Sequence, residues 1–223
     1  MEVVKEAIEN LRVGNPALIY DWPDRESEVD MVFYAGKITS EKIYKLGTEA
    51  GGLICYGLSY DVARFLEIPM FDEVFTKSGF ANLVSKSPRY GDRSNLAVWV
   101  NSIKTRTGIS DSDRALTIKS LHEVVELVLK GKVTEAKNRF QTEFYAPSHM
   151  PILIAKHFNE RCGRTELAVW LAVVAGLLPS VVYAEMLKFN SSITFEEAVN
   201  YADNKGLVLV TGEDLLRYLQ VRR

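Results

Sequence analysis

The chain has 223 residues, of which 47% are hydrophobic and 25% charged, and 27 Lys and Arg residues against 29 Asp and Glu residues give a formal net charge of −2. These values exclude a disordered chain, a fibrous repeat and a disulfide-stapled miniprotein. The near-neutral balance lacks the basic face that a generic nucleic-acid binder needs, so we expect no nucleic-acid partner.

The two cysteines, Cys55 and Cys162, are too few for a cysteine-based zinc site or a secreted disulfide framework. Charged residues interrupt the N-terminal segment, which therefore has no signal-peptide core, and we expect a cytoplasmic protein. The uncharged run 167–184 reaches the length of a candidate membrane helix, but Pro179 and Ser180 interrupt it. We therefore predict a buried helix followed by a buried strand, and no membrane contact.

Apolar spacing and capping residues predict helices and strands in alternation along the chain. The predicted helices cover 3–13, 40–50 with Ser40 as N-cap, 60–66, the segment from the capping residues 110–113 to Gly131, and segments capped by Thr194 and Thr211. The predicted strands cover 17–20, 31–35, 53–56, 96–100 and 207–210, while 69–95 is predicted to be a loop. Because no linker or repeat divides the chain, we predict one compact domain in which helices flank a central sheet.

The densest polar segment is 21–30, where five carboxylates and one arginine lie between two predicted strands. Crowded carboxylates can bind a divalent cation or become partly protonated. They can also stay solvated, and a solvated acidic loop without a function is as good an interpretation as a functional site. If the segment is extended, Glu26, Glu28 and Asp30 lie on one side.

A second polar segment, 161–166, precedes the apolar helix with two arginines, a glycine and a threonine. Guanidinium groups and free backbone N–H groups at a helix N-terminus suit a phosphate, although such features also occur at many ordinary helix starts. Three single residues are weaker candidates. His149 is an acid-base group, a phosphate-binding group or a structural residue. Cys55 is either a nucleophile or a core residue, and Glu185 ends an apolar strand where it needs a partner.

Read in order, these segments resemble the 3,4-dihydroxy-2-butanone 4-phosphate synthase family of riboflavin biosynthesis, over about 4–218. The matching segments are 24–30, 51–55, 107–115, 147–149, 161–166 and 179–185. The sequence departs from the family pattern at Val29, Ser148, Arg164 and Ala184, where the family has glycine, glycine, histidine and cysteine.

The resemblance implies an α+β fold with a mixed sheet, a lyase that converts ribulose 5-phosphate to 3,4-dihydroxy-2-butanone 4-phosphate and formate, and a Mg²⁺ or Mn²⁺ cofactor. It also implies a homodimer with active sites at the interface, and a single domain over 1–223 without a fused GTP cyclohydrolase domain. The implied metal ligand is Glu26. The implied catalytic residues are His149, Glu185, Glu28 and Cys55, and the implied substrate-binding residues are Arg25, Glu26, Asp30, Thr107, Arg161, Cys162, Gly163, Arg164 and Thr165.

Arg164 is the departure with the largest consequence, because a guanidinium stays protonated and has no lone pair for a metal. Three interpretations are open. Magnesium is held by Glu26, nearby carboxylates and water; or the Arg164 cation replaces part of the metal's electrostatic role; or the protein has lost the reaction and is a non-catalytic sugar-phosphate-binding homologue. A membrane or interaction protein that uses the apolar run is a further alternative.

Overall fold

The computed structural model describes residues 1–220. Its helices are α1 (Glu2–Val13), α2 (Ser40–Lys45, continued by a π-helical turn, Leu46–Ala50), α3 (Tyr60–Leu66), α4 (Phe71–Lys77), α5 (Ala81–Val84), α6 (Asp111–Leu129), α7 (Val133–Glu143), α8 (Arg164–Val174), α9 (Phe195–Lys205) and α10 (Gly212–Leu219). Its strands are β1 (Ala17–Tyr20), β2 (Val29–Tyr34), β3 (Cys55–Ser59), β4 (Leu96–Ser102), β5 (Phe144–Ala155), β6 (Ser180–Glu185), β7 (Leu187–Lys188), β8 (Ser191–Ser192) and β9 (Leu209–Thr211).

Within residues 1–220, a mixed sheet of seven strands has the order β4-β5-β3-β6-β2-β1-β9. The β1–β9 and β3–β5 pairs are parallel, and the other neighbours in this sheet are antiparallel. One core packs α2, α3, α6, α7 and α9 against one face of the sheet, and a second core packs α1, α8 and α10 against the other. This arrangement confirms the predicted α+β domain with a central mixed sheet.

The helix starts follow the capping residues in most cases. Ser110 accepts a hydrogen bond from the backbone of Asp113, and Thr194 and Thr211 form capping boxes, as predicted. The predicted cap Ser40 is wrong by one residue, because Thr39 accepts the bond from Lys42.

The uncharged run forms the buried helix α8 and the buried strand β6, as predicted. Within residues 1–220, each helix is too short or too polar to cross a bilayer. The predicted loop 69–95 contains the two short helices α4 and α5, so the prediction of an irregular segment there is wrong in part.

His122 of α6 is half-buried against the first residue of β6. Its Nδ1 atom lies 3.1 Å from the Ser180 hydroxyl, and its Nε2 atom lies 3.4 Å from the Tyr34 hydroxyl. Burial lowers the pKa of His122, although the negative charges of Glu126 and Glu123 oppose this shift. The folded protein therefore favours the neutral imidazole.

Replacing His122 with glutamine is expected to weaken the pH dependence of folding stability below neutrality. The unfolded chain takes up a proton near the ordinary histidine pKa, whereas the native state resists protonation, so the wild type loses stability as the pH falls. Urea unfolding at pH 7 and pH 5 measures this loss, and the exposed His157, changed to glutamine, is the control. Equal losses in the His122→Gln variant and the wild type would contradict the prediction.

Candidate active site

Strand register brings two carboxylates and a cysteine to one edge of the sheet. Asp30 of β2 lies opposite Glu185 of β6, and Cys55 of β3 lies opposite Tyr183 of β6. Because successive side chains along a strand point to opposite faces, Glu185 shares the face of Tyr183, which belongs to the core beneath α8. The N-terminus of α8 lies over this face.

Arg164, the first residue of α8, joins these carboxylates to the loop between β1 and β2. Its Nη1 atom lies 2.5 Å from Asp30 Oδ1, and its Nη2 atom lies 2.5 Å from Glu26 Oε2 and 2.8 Å from Glu28 Oε2. Glu185 Oε1 lies 3.7 Å from the same Nη2 atom. Four carboxylates therefore surround one guanidinium group.

These contacts exclude one interpretation of the acidic segment. Glu26, Glu28 and Asp30 all face Arg164, which confirms that they lie on one side. The interpretation as a solvated acidic loop is wrong for these residues. Asp21 organises the loop from within the protein, since its carboxylate accepts the backbone N–H groups of Glu26 at 3.3 Å and Glu28 at 3.1 Å.

The electrostatics of this cluster follow from its burial. Burial opposes the charged form of Arg164, but Asp30, Glu26, Glu28 and Glu185 outweigh this effect and raise its pKa. Burial raises the pKa of Asp30, whose side chain is fully enclosed, and its Oδ2 atom makes no hydrogen bond within the described residues. The guanidinium of Arg164 is therefore a permanent positive charge among carboxylates.

Arg25 and Arg161 lie side by side over Gly163. A Cβ atom at Gly163 would come within 2.6 Å of Arg161 Nη1 and 2.7 Å of Arg25 Nη2, so a larger residue here would displace the guanidinium groups of both arginines. Asp92, from the segment before β4, pairs with Arg25 at 2.7 Å and lies 3.9 Å from Arg161. Sequence reasoning missed Asp92, which nothing in its local pattern distinguishes from a surface residue.

The predicted phosphate-binding segment has partners within the protein. The Glu166 carboxylate pairs with Arg161 and accepts the Gly163 N–H at 2.9 Å, and the Thr165 hydroxyl lies 2.7 Å from the Tyr183 hydroxyl. Cys162, predicted to bind substrate, is buried in the core beneath α8, where its carbonyl accepts the indole N–H of Trp22 at 2.7 Å.

A cavity of about 190 Å³ opens beside this cluster. Its wall includes Cys55, Arg161, Arg164, Thr165 and Glu185, together with Glu26, Tyr90, Asn95, Leu153 and Tyr183. Burial raises the pKa of the Cys55 thiol well above its usual value, and the charges of Glu185 and Asp30 add to the shift. Cys55 is therefore a neutral thiol at the cavity wall.

Thr107 and His149 belong to a second cluster, built around the buried side chain of Asn101 on β4. Asn101 Nδ2 lies 3.0 Å from His149 Nδ1 and 3.5 Å from the Thr107 carbonyl oxygen. Asn101 Oδ1 accepts the backbone N–H of His149 at 3.2 Å. Neither Thr107 nor His149 is among the cavity-lining residues. The predicted site residues thus form two clusters in one chain.

Asn101 was missed by sequence reasoning, although a signal exists. It follows the apolar strand residues 96–100, where a buried amide needs hydrogen-bond partners. Gly108 approaches so closely that a Cβ atom would lie 1.4 Å from Asn101 Nδ2, and its φ of +85° also favours glycine. The Thr107 loop is therefore fixed against Asn101.

The donor set around Arg164 does not fit a divalent metal. Carboxylate oxygens are suitable ligands for Mg²⁺ or Mn²⁺, but those of Glu26, Glu28 and Asp30 already contact the guanidinium, which has no lone pair to donate. Across residues 1–220, no three His, Cys, Asp or Glu side chains are grouped to hold a metal ion. The implied role of Glu26 as a metal ligand does not agree with this geometry.

Comparison with known proteins gives consistent results. A family model described as 3,4-dihydroxy-2-butanone 4-phosphate synthase matches residues 5–218. The synthase of that name from Archaeoglobus fulgidus is 36% identical, with 96% of this chain and 92% of the relative covered. A Candida albicans synthase structure is 26% identical with a TM-score of 0.74, covering 97% of this chain and 96% of that one. A synthase structure solved with two magnesium ions is 24% identical with a TM-score of 0.76, covering 97% and 96%.

Proposed function

Because this chain belongs to the 3,4-dihydroxy-2-butanone 4-phosphate synthase family, we propose that it converts ribulose 5-phosphate to 3,4-dihydroxy-2-butanone 4-phosphate and formate in the cavity beside Arg164. The observation that carries the proposal is the match over residues 5–218, which includes both clusters. The family match favours the enzyme over a non-catalytic sugar-phosphate-binding homologue. We expect the reaction to take place in the cytoplasm.

The carboxylates and cations at the cavity suit the chemistry. Enediol formation from a ketose needs a base for a carbon-bound proton and a positive charge beside the developing oxyanion. Glu185, which lines the cavity, and Glu28 are the proposed bases. The resemblance implies Asp30 and Arg25 as partners of the sugar hydroxyls, but the Asp30 side chain is fully enclosed and neither residue is among those that line the cavity. Cys55 lines the same wall as a neutral group.

The proposed phosphate site lies at Arg161, Gly163 and Thr165. Arg25 Nη2 and Arg161 Nε are buried and make no hydrogen bond within the described part of the chain. Buried guanidinium donors of this kind suit an anion, and they lie at the N-terminus of α8, where the helix dipole is positive. Binding of the phosphate there would satisfy both donors.

We further propose that the chain is a homodimer in which a second copy supplies His149 and Thr107 to the cavity. The separation of the two clusters within one chain supports this proposal. The surface beside the Asn101 cluster is exposed. Tyr145, whose hydroxyl lies 3.2 Å from Asn101 Nδ2, is 42% exposed, and Ile109, which follows Gly108, is 48% exposed. Apolar side chains beside polar functional groups suit a partner surface.

Formate release tests the function. Purified protein incubated with ribulose 5-phosphate, with and without magnesium, is expected to release formate, measured with formate dehydrogenase. Glu185→Gln is expected to lower the rate by about 10²–10⁴-fold, because a carboxylate base is lost. Glu213→Gln, at a side chain 72% exposed, is the matched control and is expected to keep the wild-type rate.

One result would contradict the function, and another would contradict the role of Glu185. Wild-type protein that folds and binds ribulose 5-phosphate but releases no formate under either condition would support the non-catalytic homologue. A Glu185→Gln rate equal to that of the wild type would remove Glu185 from the mechanism and leave the overall reaction in place.

A further inference from the structure

Four carboxylates converge on Arg164 as they would on a bound cation, and the cation at their centre is the Arg164 guanidinium. Glu26 and Glu28 come from the loop after β1, Asp30 comes from β2 and Glu185 from β6. Their oxygens lie between 2.5 and 3.7 Å from the guanidinium nitrogens. Without a cation at their centre, four carboxylates this close would repel one another.

Arg164 occupies the place between these oxygens in a fixed conformation. Its Nε atom donates to Glu26 Oε2 at 2.8 Å, and its side chain is only 12% exposed. The next two residues of α8 also have buried partners. The Thr165 hydroxyl bonds to the buried Tyr183 hydroxyl, and the Glu166 carboxylate accepts the backbone N–H of Gly163. The arginine therefore cannot move aside without breaking several buried charge-assisted bonds.

A divalent ion and this guanidinium exclude one another on two grounds. They would use the same carboxylate oxygens, and Mg²⁺ requires its ligands at short distances in octahedral geometry. Two positive charges at the centre of the same cluster would also repel each other. Because Arg164 lines the cavity wall, its charge is available to a bound anion.

We propose that Arg164 is the resident cation of this site and that the protein works without a divalent metal among Glu26, Glu28, Asp30 and Glu185. The activity part of this inference rests on the proposed function, since it assigns the guanidinium to stabilise the enediolate oxyanion. The metal-binding part does not depend on activity.

Metal binding is tested with Mn²⁺ as the probe, by electron paramagnetic resonance of the free ion. The wild type, stripped with EDTA and dialysed, is expected to bind no Mn²⁺ at this cluster. Arg164→His is expected to create a site at least about tenfold tighter than any in the wild type, because a charge is removed and an imidazole nitrogen added. Arg217→His, at a side chain 62% exposed, is the control and should behave as the wild type.

Activity is tested with the same stripped protein. Formate release in EDTA is expected to stay within about twofold of the rate in millimolar magnesium. EDTA removes divalent ions, whereas the cation proposed for the reaction is the Arg164 guanidinium. Arg164→Lys keeps the charge without the planar fork, and it is expected to remain EDTA-insensitive at a lower rate.

The outcomes separate the two proposals. Stoichiometric Mn²⁺ binding by the wild type, formate release that is lost in EDTA and restored by magnesium, or no gain of binding in Arg164→His would each overturn the resident-cation inference. Absence of formate with and without metal would overturn the proposed function, and the Mn²⁺ titration would still decide whether Arg164 excludes the metal.

Discussion

Replacing Glu166 with alanine is expected to lower the free energy of unfolding by about 3–5 kcal/mol, because the buried charge of Arg161 loses its partner. The Glu166 side chain is fully buried. Its carboxylate also accepts hydrogen bonds from the backbone N–H of Lys156 at 3.0 Å and from the side-chain amide Nδ2 of Asn95 at 3.4 Å. One substitution therefore leaves several buried donors without an acceptor. Urea unfolding followed by circular dichroism measures the change.

Glu197 is a matched control for this prediction. It occupies the same position in the first turn of α9 as Glu166 in α8, but its side chain is 46% exposed and pairs with Lys188 at the surface. Glu197→Ala is expected to cost about 0.5–2 kcal/mol, as for the loss of an ordinary cap. Equal losses in the two variants would mean that the Arg161–Glu166 pair contributes nothing beyond capping.

The elements that the sequence predicts well are those with local signals. The strand 17–20 and the helix 60–66 have the predicted bounds, and capping residues locate the starts of α6, α9 and α10. The helix α7 was missed because it is mostly polar and buries Ala136 as its one core residue. The strand β5 was missed because Pro147 and Pro151 within it argue against a strand.

The bounds of a strand also differ from the prediction where both faces of that strand are buried. The third strand begins at Cys55 and extends to Ser59, two residues later and three residues longer at its end than the predicted 53–56. In an apolar run without alternation, the hydrophobic pattern does not fix which residues pair. The partners on β5 and β6, which are distant in sequence, fix those bounds.

The candidate site likewise has one part that local patterns predict and another that they do not. The clustering of Glu26, Glu28 and Asp30 is predictable, because alternation along one segment is a local property. The contact of Arg164 with Asp30 and Glu185 depends on the β2–β6 register and on the position of α8, neither of which local patterns determine. For the same reason, the sequence left three interpretations of Arg164 open.

A heterodimer that combines two inactive variants is expected to regain about half of the wild-type formate release per dimer, because one of its two sites would be intact. The variants are His149→Ala and Glu185→Gln, one from each cluster. If each site takes His149 from one subunit and Glu185 from the other, both mutations fall in one site. Differently tagged chains are coexpressed, and the heterodimer is purified through both tags.

The reciprocal heterodimer is the control that distinguishes shared sites from separate ones. It pairs a wild-type chain with a chain that carries both mutations. With sites shared between subunits, each site of this dimer contains one mutation, so it is expected to release almost no formate. If each site instead used His149 and Glu185 of one chain, the activities would be reversed: the control would keep about half of the wild-type rate, and the two single variants together would regain none. That reversal would contradict the interface proposal.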